Sequence, residues 1–297
     1  LKDGATREHA RRALYEAIHE AMGQAGLPDT TEIAFAFLGF SGVSGPEAAA
    51  AKTYCEVVQE QFAVRSIFID HDARTALAGA IPSMSGVIAI AGTGSIAFAM
   101  NACGASARAG GWGYLLGDPG SAYEIGRQAL AAVARAHDGA GPATLLSSLL
   151  LQALNIQDAA EMTQAIYRDA SPKLRIAGVC STVGAAAAVG DKVAVNIFAE
   201  AGRGLGSMAC SAARKLTLPP SFTFSGVGGV FESGDLLWRP YREFVLSEYP
   251  QAQVVTPAFP PLVGALMLAF RKGGVDTPPE WLERIRGSYD AAGLTAP

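Results

Sequence analysis

Two glycine-rich turns are the parts of the sequence best suited to hold a phosphate group. Gly92-Thr93-Gly94-Ser95 and Gly226-Val227-Gly228-Gly229 each follow a short apolar run that predicts a strand. Because glycine has no Cβ, backbone N–H groups in such turns can approach a phosphate closely, and the hydroxyl groups of Thr93 and Ser95 add donors. The second turn also precedes a predicted helix, whose N-terminus favours an anion. Together the turns predict a nucleotide site, with an ordinary hairpin turn as the alternative for the first.

The acidic pair around His71 is the next candidate. Asp70-His71-Asp72 ends a short predicted strand, and active-site carboxylates are often placed at strand ends in α/β folds. Asp72 could accept a proton from a substrate hydroxyl group. Alternatively, Asp72 caps the following helix, which would be a purely structural role. His71 is interpreted as a packed loop residue rather than a catalyst.

Trp112 and Asp118 lie in a segment dense in glycine, from Arg108 to Gly120, that predicts a loop. This combination suits a sugar, since an aromatic face covers C–H groups and a carboxylate accepts hydrogen bonds from hydroxyl groups. The segment therefore predicts a sugar-binding role.

Several standard motifs are absent from the sequence. It has no G-x-x-x-x-G-K-[ST], HExxH or GxSxG motif, and no H-R-D set of protein kinases. Gly202-Arg203-Gly204-Leu205-Gly206 follows no predicted strand and lies inside a helical pattern. We therefore expect it to pack closely against another helix rather than to bind a nucleotide.

The composition indicates an ordered protein with neither nucleic acid nor a membrane as its partner. The chain has 297 residues, of which 50% are hydrophobic, and a formal net charge of −4. There is no cluster of Lys and Arg, no apolar run of membrane-spanning length and no signal-peptide pattern. The 4 cysteines are far apart, which predicts reduced thiols in a cytoplasmic protein.

The order of predicted elements favours an α/β fold. Helix and strand alternate from the N-terminus to about residue 80, which is typical of a parallel or mixed sheet covered by helices. A hairpin is predicted around Gly92 to Ser95, a nearly continuous helical region from Pro142 to Leu216, and further strands at Phe222-Thr223-Phe224 and Val254-Val255.

The same residues carry a resemblance to a known family. Ile90-Ala91-Gly92-Thr93-Gly94-Ser95, followed by GGWGYLLGDPGSAY from Gly110 to Tyr123, resembles the N-acetylglucosamine kinase group of the BadF/BadG/BcrA/BcrD ATPase family, in the actin/hexokinase/Hsp70 superfamily. The resemblance implies two RNase H-like lobes that enclose a cleft. Residues 1–84 would form the N-terminal lobe and residues 85–262 the C-terminal lobe with a helical insertion. Residues 263–297 would form helices that pack back toward the N-terminal lobe.

The resemblance also implies an activity and its residues. The reaction would be ATP-dependent phosphorylation of an amino sugar, with N-acetylglucosamine at its 6-hydroxyl group as the first choice and glucosamine and N-acetylmuramic acid still open. Asp72 would be the catalytic base, with ATP and Mg²⁺ as cofactors and a homodimer as the assembly. The sugar would be held by Ser95, Gly111, Trp112 and Asp118. The nucleotide would be held by Gly92, Thr93, Gly94, Gly228, Gly229 and Ser233.

Two departures from the family pattern affect these expectations. Pro119 stands where the family usually has Glu, which should stiffen the loop and remove a charge. The family also opens with a strand hairpin containing Asp-Gly-Gly-Gly-Thr, whose loop holds phosphate and whose Asp organises Mg²⁺, and this motif is not in the sequence. We therefore expect an N-terminally truncated member, with the first β-hairpin of the N-terminal lobe missing, that does not phosphorylate sugar on its own.

Two other functions stay open at this point. An ATPase activator of the same family would share a [4Fe–4S] cluster between two subunits, with two cysteines from each. Cys180 is suitably placed for one of them, but the segment from Gly111 to Gly120 has no cysteine for the other. The second alternative is a non-catalytic fragment that keeps the fold without turnover.

Overall fold

The computed structural model describes residues 4–41, 49–275 and 278–291, which belong to two compact units. One unit comprises the chain up to Pro82 and from Ala258 onward, and the other comprises Ser83 to Pro257. The units thus change after Pro82 and after Pro257, whereas the boundaries predicted from the sequence fall after residues 84 and 262. The elements are, in chain order, α1 (Gly4–Gln24), β1 (Ile33–Phe40), α2 (Ala49–Gln59), β2 (Val64–His71), α3 (Asp72–Ala80), β3 (Gly86–Ala91), β4 (Ser95–Met100), β5 (Ser106–Gly110), α4 (Ala122–His137), α5 (Leu146–Leu154), α6 (Met162–Tyr167), α7 (Pro172–Gly178), α8 (Cys180–Ala188), α9 (Lys192–Ala213), β6 (Thr223–Val227), α10 (Asp235–Glu248), β7 (Gln253–Val255), α11 (Pro261–Lys272) and α12 (Pro279–Ala291).

The first unit is built on a parallel pair of strands. β1 and β2 run side by side, with Phe37 opposite Phe68 and Phe40 opposite His71. The alternation of helix and strand predicted for this region is confirmed. Since β2 ends at His71 and α3 begins at Asp72, the acidic pair lies at the carboxyl end of a strand, as the sequence predicted.

Helix α11 packs against α3 in this unit, and Gly264 allows their close approach. A Cβ added at Gly264 would overlap two backbone atoms, the carbonyl oxygen of Thr75 and the amide nitrogen of Gly79. Backbone atoms cannot be rotated out of the way as the end of a flexible side chain can. The two helices would therefore have to move apart to accept a side chain here.

We expect Gly264→Ala to lower the free energy of unfolding by about 1–3 kcal/mol through overpacking, measured by urea denaturation. The matched control is Gly287→Ala in α12, where an added Cβ would meet nothing within 4 Å. Since alanine favours a helix over glycine, the control should keep or raise the stability. Equal denaturation midpoints for the two variants would contradict the close packing of α3 and α11.

The second unit contains a mixed five-stranded sheet in the order β5-β4-β3-β6-β7. β4 is antiparallel to both β3 and β5, while β6 is parallel to β3 and to β7. The predicted hairpin is confirmed, because Ala91 at the end of β3 lies opposite Ser95 at the start of β4.

The segment from Arg108 to Gly120, predicted as a loop, begins inside a strand, so that prediction is wrong for its first residues. β5 pairs with β4 along its whole length, from Gly110 opposite Ile96 to Ser106 opposite Met100. The sequence Ser-Ala-Arg-Ala-Gly has no β-branched or aromatic residue and therefore little strand propensity of its own. Pairing with β4 overrides that local preference.

The core of the second unit is formed by apolar side chains from the strands and from α4, α8, α9 and α10. Phe198 and Leu205 of α9 and Tyr241 of α10 are fully buried in it. At Gly202, an added Cβ would lie 2.6 Å from Pro240 Cγ and 2.7 Å from the Leu237 carbonyl oxygen. An added Cβ at Gly206 would likewise lie 3.0 Å from Phe244 Cβ of α10. The prediction of close helix packing is therefore confirmed for Gly202 and Gly206, whereas Gly204 lies against Pro119 of a loop.

In the part of the chain that the structure describes, no single helix has the length and apolar content needed to cross a bilayer. Pro172–Ala188 and α9 reach that length and content only as a pair, and they are bent by 118°.

Candidate active site

An open cavity of about 620 Å³ in the second unit is bounded by both glycine turns. Gly92 and Thr93 face it from the turn between β3 and β4, and Gly229 and Ser233 face it from the short 3₁₀ helix that follows β6. A cavity of this size suits a small-molecule ligand. The rest of the lining is formed by Ala122, Cys180, Ser181, Gly184, Ala185, Ala188, Val230, Glu232 and Leu236.

Gly94 and Gly228 are also predicted to bind the nucleotide, but they do not line this cavity. At both positions the structure requires glycine because another segment of the chain lies close to the backbone. Gly228 has φ +105°, and a Cβ at this position would lie 2.5 Å from the carbonyl oxygen of Ala91. A Cβ at Gly94 would lie 2.8 Å from Asp118 Oδ2. Both glycines therefore allow neighbouring segments to approach, whereas Gly229 has open space at its Cβ position.

This difference gives a matched pair of substitutions. Gly228→Ala places a side chain at positive φ against backbone, so we expect it to cost at least about 1 kcal/mol of stability and to lower the melting temperature. Gly229→Ala should melt like the parent chain but bind ATP more weakly, because the methyl group borders the cavity. Differential scanning calorimetry and isothermal titration with ATP measure the two effects. Unchanged ATP affinity in Gly229→Ala would count against a nucleotide in this cavity.

The predicted sugar-binding residues Ser95, Gly111 and Asp118 are tied together in the second unit. The Gly111 N–H donates to the Ser95 carbonyl oxygen at 3.1 Å, and the Ser95 hydroxyl group donates to the Pro119 carbonyl oxygen at 2.8 Å. These bonds fasten the loop after β5 to the start of β4. The turn from Gly92 to Ser95 therefore borders the cavity on one side and holds the Asp118 loop on the other.

Asp118 is the most informative side chain of this group. It is only 6% exposed, and its Oδ1 atom has no hydrogen-bond partner among the residues that the structure describes. A buried carboxylate oxygen without a donor costs considerable free energy, so buried polar groups are nearly always paired. Asp118 is therefore suited to accept a hydrogen bond from a ligand, such as a sugar hydroxyl group.

Trp112 follows Gly111 and is 65% exposed, which is unusual for so large an apolar side chain. The guanidinium carbon of Arg108 lies 5.2 Å from its ring centroid, in a cation–π contact. Leu115 and Leu116 in the same loop are 81% and 80% exposed. The exposed apolar residues of this loop thus come shortly before Asp118 in the sequence, whose carboxylate is buried.

Asp72 lies in the first unit, as the first residue of α3. The N-cap position of α3 is occupied by His71, so the alternative that Asp72 serves as the cap is wrong. The Asp72 side chain is 45% exposed, and its Oδ1 lies 2.7 Å from His71 Nδ1. Hydrogen bonding from His71 is the main cause that lowers the pKa of Asp72 below its usual value, while burial acts in the opposite direction.

Asp70 is more constrained than Asp72. Its Oδ2 forms an ion pair with Arg74 Nε at 2.7 Å, and its Oδ1 accepts from the His71 N–H at 2.7 Å. The Asp70 side chain is also the less exposed of the two, at 23%. Of the acidic pair, Asp72 is therefore the carboxylate with more access to a ligand.

A metal site built from side chains alone is not found among residues 4–41, 49–275 and 278–291, where no three His, Cys, Asp or Glu side chains come close enough to share an ion. Mg²⁺ commonly takes one or two carboxylates together with substrate phosphates. The described side chains thus assign no ligand set to Mg²⁺.

Helix α8 forms part of the cavity wall, which is not predicted from the sequence. The residues of α8 that line the cavity are small and four apart in sequence: Ser181 and Ala185, and Gly184 and Ala188. Small residues at this spacing are equally typical of two helices in contact, so the pattern alone does not predict a cavity wall. Cys180 also lines the cavity, and burial raises the pKa of its thiol to about 11.

Comparison with known proteins identifies the family of this chain. The model of the BadF/BadG/BcrA/BcrD ATPase family matches residues 3–269. The chain is 31% identical to the N-acetylmuramic acid/N-acetylglucosamine kinase of Clostridium acetobutylicum over 90% of this chain and 87% of that protein. It is 33% identical to the N-acetyl-D-glucosamine kinase of Dictyostelium discoideum over 68% of this chain and 64% of that protein.

Crystal structures show the same fold. A protein from Chromobacterium violaceum assigned as an N-acetylglucosamine kinase has a TM-score of 0.65 and 24% identity, over 89% of this chain and 87% of that one. A protein from Porphyromonas gingivalis with the same assignment has a TM-score of 0.65 and 19% identity, over 91% of this chain and 87% of that one. The predicted α/β fold is thereby confirmed, and it is the fold of these two proteins. With the family model covering most of its length, the chain belongs to the BadF/BadG/BcrA/BcrD ATPase family.

Proposed function

We propose that the protein transfers the terminal phosphoryl group of ATP to a hydroxyl group of an N-acetylated amino sugar, with N-acetylglucosamine as the first choice. The observation that carries the proposal is the turn from Gly92 to Ser95, which joins a cavity lined by two glycine turns to the unpaired buried oxygen of Asp118. A nucleotide cavity and a hydroxyl-binding carboxylate on either side of one short turn are the parts that a sugar kinase needs.

The names of the relatives support the substrate class. The clostridial kinase is named for N-acetylmuramic acid and N-acetylglucosamine, and the Dictyostelium kinase for N-acetyl-D-glucosamine. All of these sugars carry an N-acetyl group, which glucosamine lacks. Membership of an ATPase family supports ATP as the phosphoryl donor, and Mg²⁺ is proposed as the ion that accompanies it.

The residues of the second unit would bind and orient the substrates. Thr93, at the tip of the first turn, offers its hydroxyl group to the phosphates, and Gly229 and Ser233 border the rest of the nucleotide. Asp118 Oδ1 accepts a hydrogen bond from a sugar hydroxyl group, and Trp112 covers C–H groups of the ring. Phosphoryl transfer depends mainly on such positioning and on charge stabilisation.

Asp72 would take the proton. The oxygen of the sugar hydroxyl group, for which we propose the 6-position, attacks the terminal phosphorus, the bond from phosphorus to the ADP oxygen breaks, and the hydroxyl proton passes to an oxygen of Asp72. Asp72 is ionised at neutral pH, because carboxyl groups ordinarily titrate at about pH 4 and the contact with His71 lowers its pKa further. It can therefore accept that proton. The homodimer and the cytoplasmic location stay predictions.

Isothermal titration with sugars tests the substrate class. We expect N-acetylglucosamine to bind at least about tenfold more tightly than glucosamine, because a site that takes the neutral acetamido group discriminates against an ammonium group in its place. N-acetylmuramic acid, added in parallel, shows whether a larger substituent is accepted. Equal affinities for N-acetylglucosamine and glucosamine would contradict the proposed class.

A further inference from the structure

We propose that His71 is a positioning residue for Asp72: its imidazole Nδ1–H holds one carboxylate oxygen and leaves the other to face the sugar hydroxyl group. The inference rests on the proposed function, in which Asp72 accepts the proton. His71 itself touches no reacting atom in this account.

The contact between the two side chains fixes where the imidazole proton lies. His71 Nδ1 is 2.7 Å from Asp72 Oδ1 and 3.0 Å from the amide nitrogen of Ala73. An unprotonated Nδ1 would set its lone pair against a carboxylate oxygen at hydrogen-bond distance, which is repulsive. The Ala73 N–H also points at Nδ1 as a donor, and one ring nitrogen cannot both accept that bond and donate to Asp72. We assign the proton to Nδ1, which donates to Asp72 over the shorter contact, while the Ala73 N–H bonds to the Asp72 carboxylate that it also reaches.

The junction between strand and helix makes this contact possible. Neighbouring side chains point to opposite faces of a strand and do not face each other on a helix. His71 has extended backbone angles, φ −64° and ψ 139°, while Asp72 already belongs to the helix. The change of backbone direction between them brings the imidazole ring against the carboxylate.

Surrounding contacts hold the ring in place. The main chain of His71 is paired with Phe40 of β1, and its N–H donates to Asp70, which is itself bound to Arg74. The His71 side chain is only 21% exposed, compared with 45% for Asp72. A largely buried donor thus meets a more exposed acceptor, which is the arrangement that a positioning residue requires.

Among the charged groups on the elements packed against β2 and α3, His71 has the largest influence on the pKa of Asp72. Asp70 and Arg74 are paired with each other. β1 carries no titratable side chain, and burial opposes the lowering of the pKa of Asp72 that His71 causes. The remaining titratable residues on described elements packed against β2 and α3 are Lys52, Tyr54, Cys55 and Glu56 of α2 and Arg271 and Lys272 of α11.

Two substitutions separate positioning from packing. His71→Phe keeps a ring but removes the donor, and His71→Asn restores an N–H donor on a short side chain. The readouts are kcat and KM with N-acetylglucosamine for the chain extended by the family's Asp-Gly-Gly-Gly-Thr hairpin (here called the full-length protein), and the pKa of Asp72 followed by ¹³C NMR of its carboxyl carbon. The control is His19→Phe, because His19 Nδ1 also lies 2.7 Å from a carboxylate, that of Asp29, on the exposed surface.

We expect His71→Phe to lower kcat about tenfold with KM nearly unchanged, since small misplacements of a reacting group cost rate rather than binding. The pKa of Asp72 should rise toward its usual value, and His71→Asn should recover most of both effects. His19→Phe should change neither.

Unchanged kcat and unchanged Asp72 titration in His71→Phe would overturn the proposal. A fall in kcat that follows the melting temperature, with no shift at Asp72 and no recovery in His71→Asn, would assign His71 a structural role only and would also overturn it. If no variant or parent protein transfers phosphate while Asp72 still shifts in His71→Phe, the contact is supported and the kinase function is the part that fails.

Discussion

Replacement of Asp72 by asparagine is expected to lower kcat of the full-length protein by about 10²-fold or more while sugar binding stays within a few-fold of the parent value. Asparagine has the shape of aspartate but cannot take a proton from a hydroxyl group at neutral pH. The substitution thus removes the proposed base and leaves the substrate contacts of the second unit intact. Steady-state kinetics and isothermal titration with N-acetylglucosamine measure the two quantities.

The matched control is Asp29→Asn, in the same unit. Asp29 also lies 2.7 Å from a histidine Nδ1, but at an exposed site with no proposed role in the reaction. We expect this variant to keep the parent kcat. Near-normal turnover in Asp72→Asn would show that another group accepts the proton.

Replacement of Asp118 by alanine is expected to weaken sugar binding by about 1.5–3 kcal/mol, the usual contribution of a hydrogen bond to a charged group, or roughly 10- to 100-fold in affinity. The reason is that Asp118 Oδ1 is buried and unpaired in the structure, so a ligand hydroxyl group is its natural partner. ATP affinity should change little, since Asp118 does not line the cavity between the glycine turns.

Isothermal titration of each ligand against Asp118→Ala and against an exposed control, Asp138→Ala, tests this. The control lies at the C-terminus of α4 and should bind both ligands like the parent protein. Loss of ATP binding with sugar binding preserved would show that Asp118 belongs to the nucleotide site.

The two glycine turns and the acidic pair could be predicted from the sequence because their signals are local. A turn between apolar runs, as at Gly92 to Ser95, and a carboxylate at the end of a short strand, as at Asp72, are both visible in a few residues. The structure then shows Gly92, Thr93, Gly229 and Ser233 around one cavity.

Features that depend on contacts between distant segments could not be predicted in the same way. β5 forms because β4 offers it a partner, although its own residues do not favour a strand. Gly94 and Gly228 look like phosphate-binding glycines in the sequence, yet a Cβ on either would meet a neighbouring segment. The hydrogen bond between His71 and Asp72 depends on backbone angles at the junction of β2 and α3, which residue spacing does not reveal.

The dependence of ADP release on sugar tests the proposed kinase activity most directly. The full-length protein is mixed with ATP, Mg²⁺ and N-acetylglucosamine, ADP is followed by a coupled assay, and the sugar product is identified by mass spectrometry. We predict that ADP release requires the sugar and that each ADP is matched by one phosphorylated sugar molecule. ADP release at the same rate with and without N-acetylglucosamine, and no phosphorylated sugar, would show an ATPase and contradict the account.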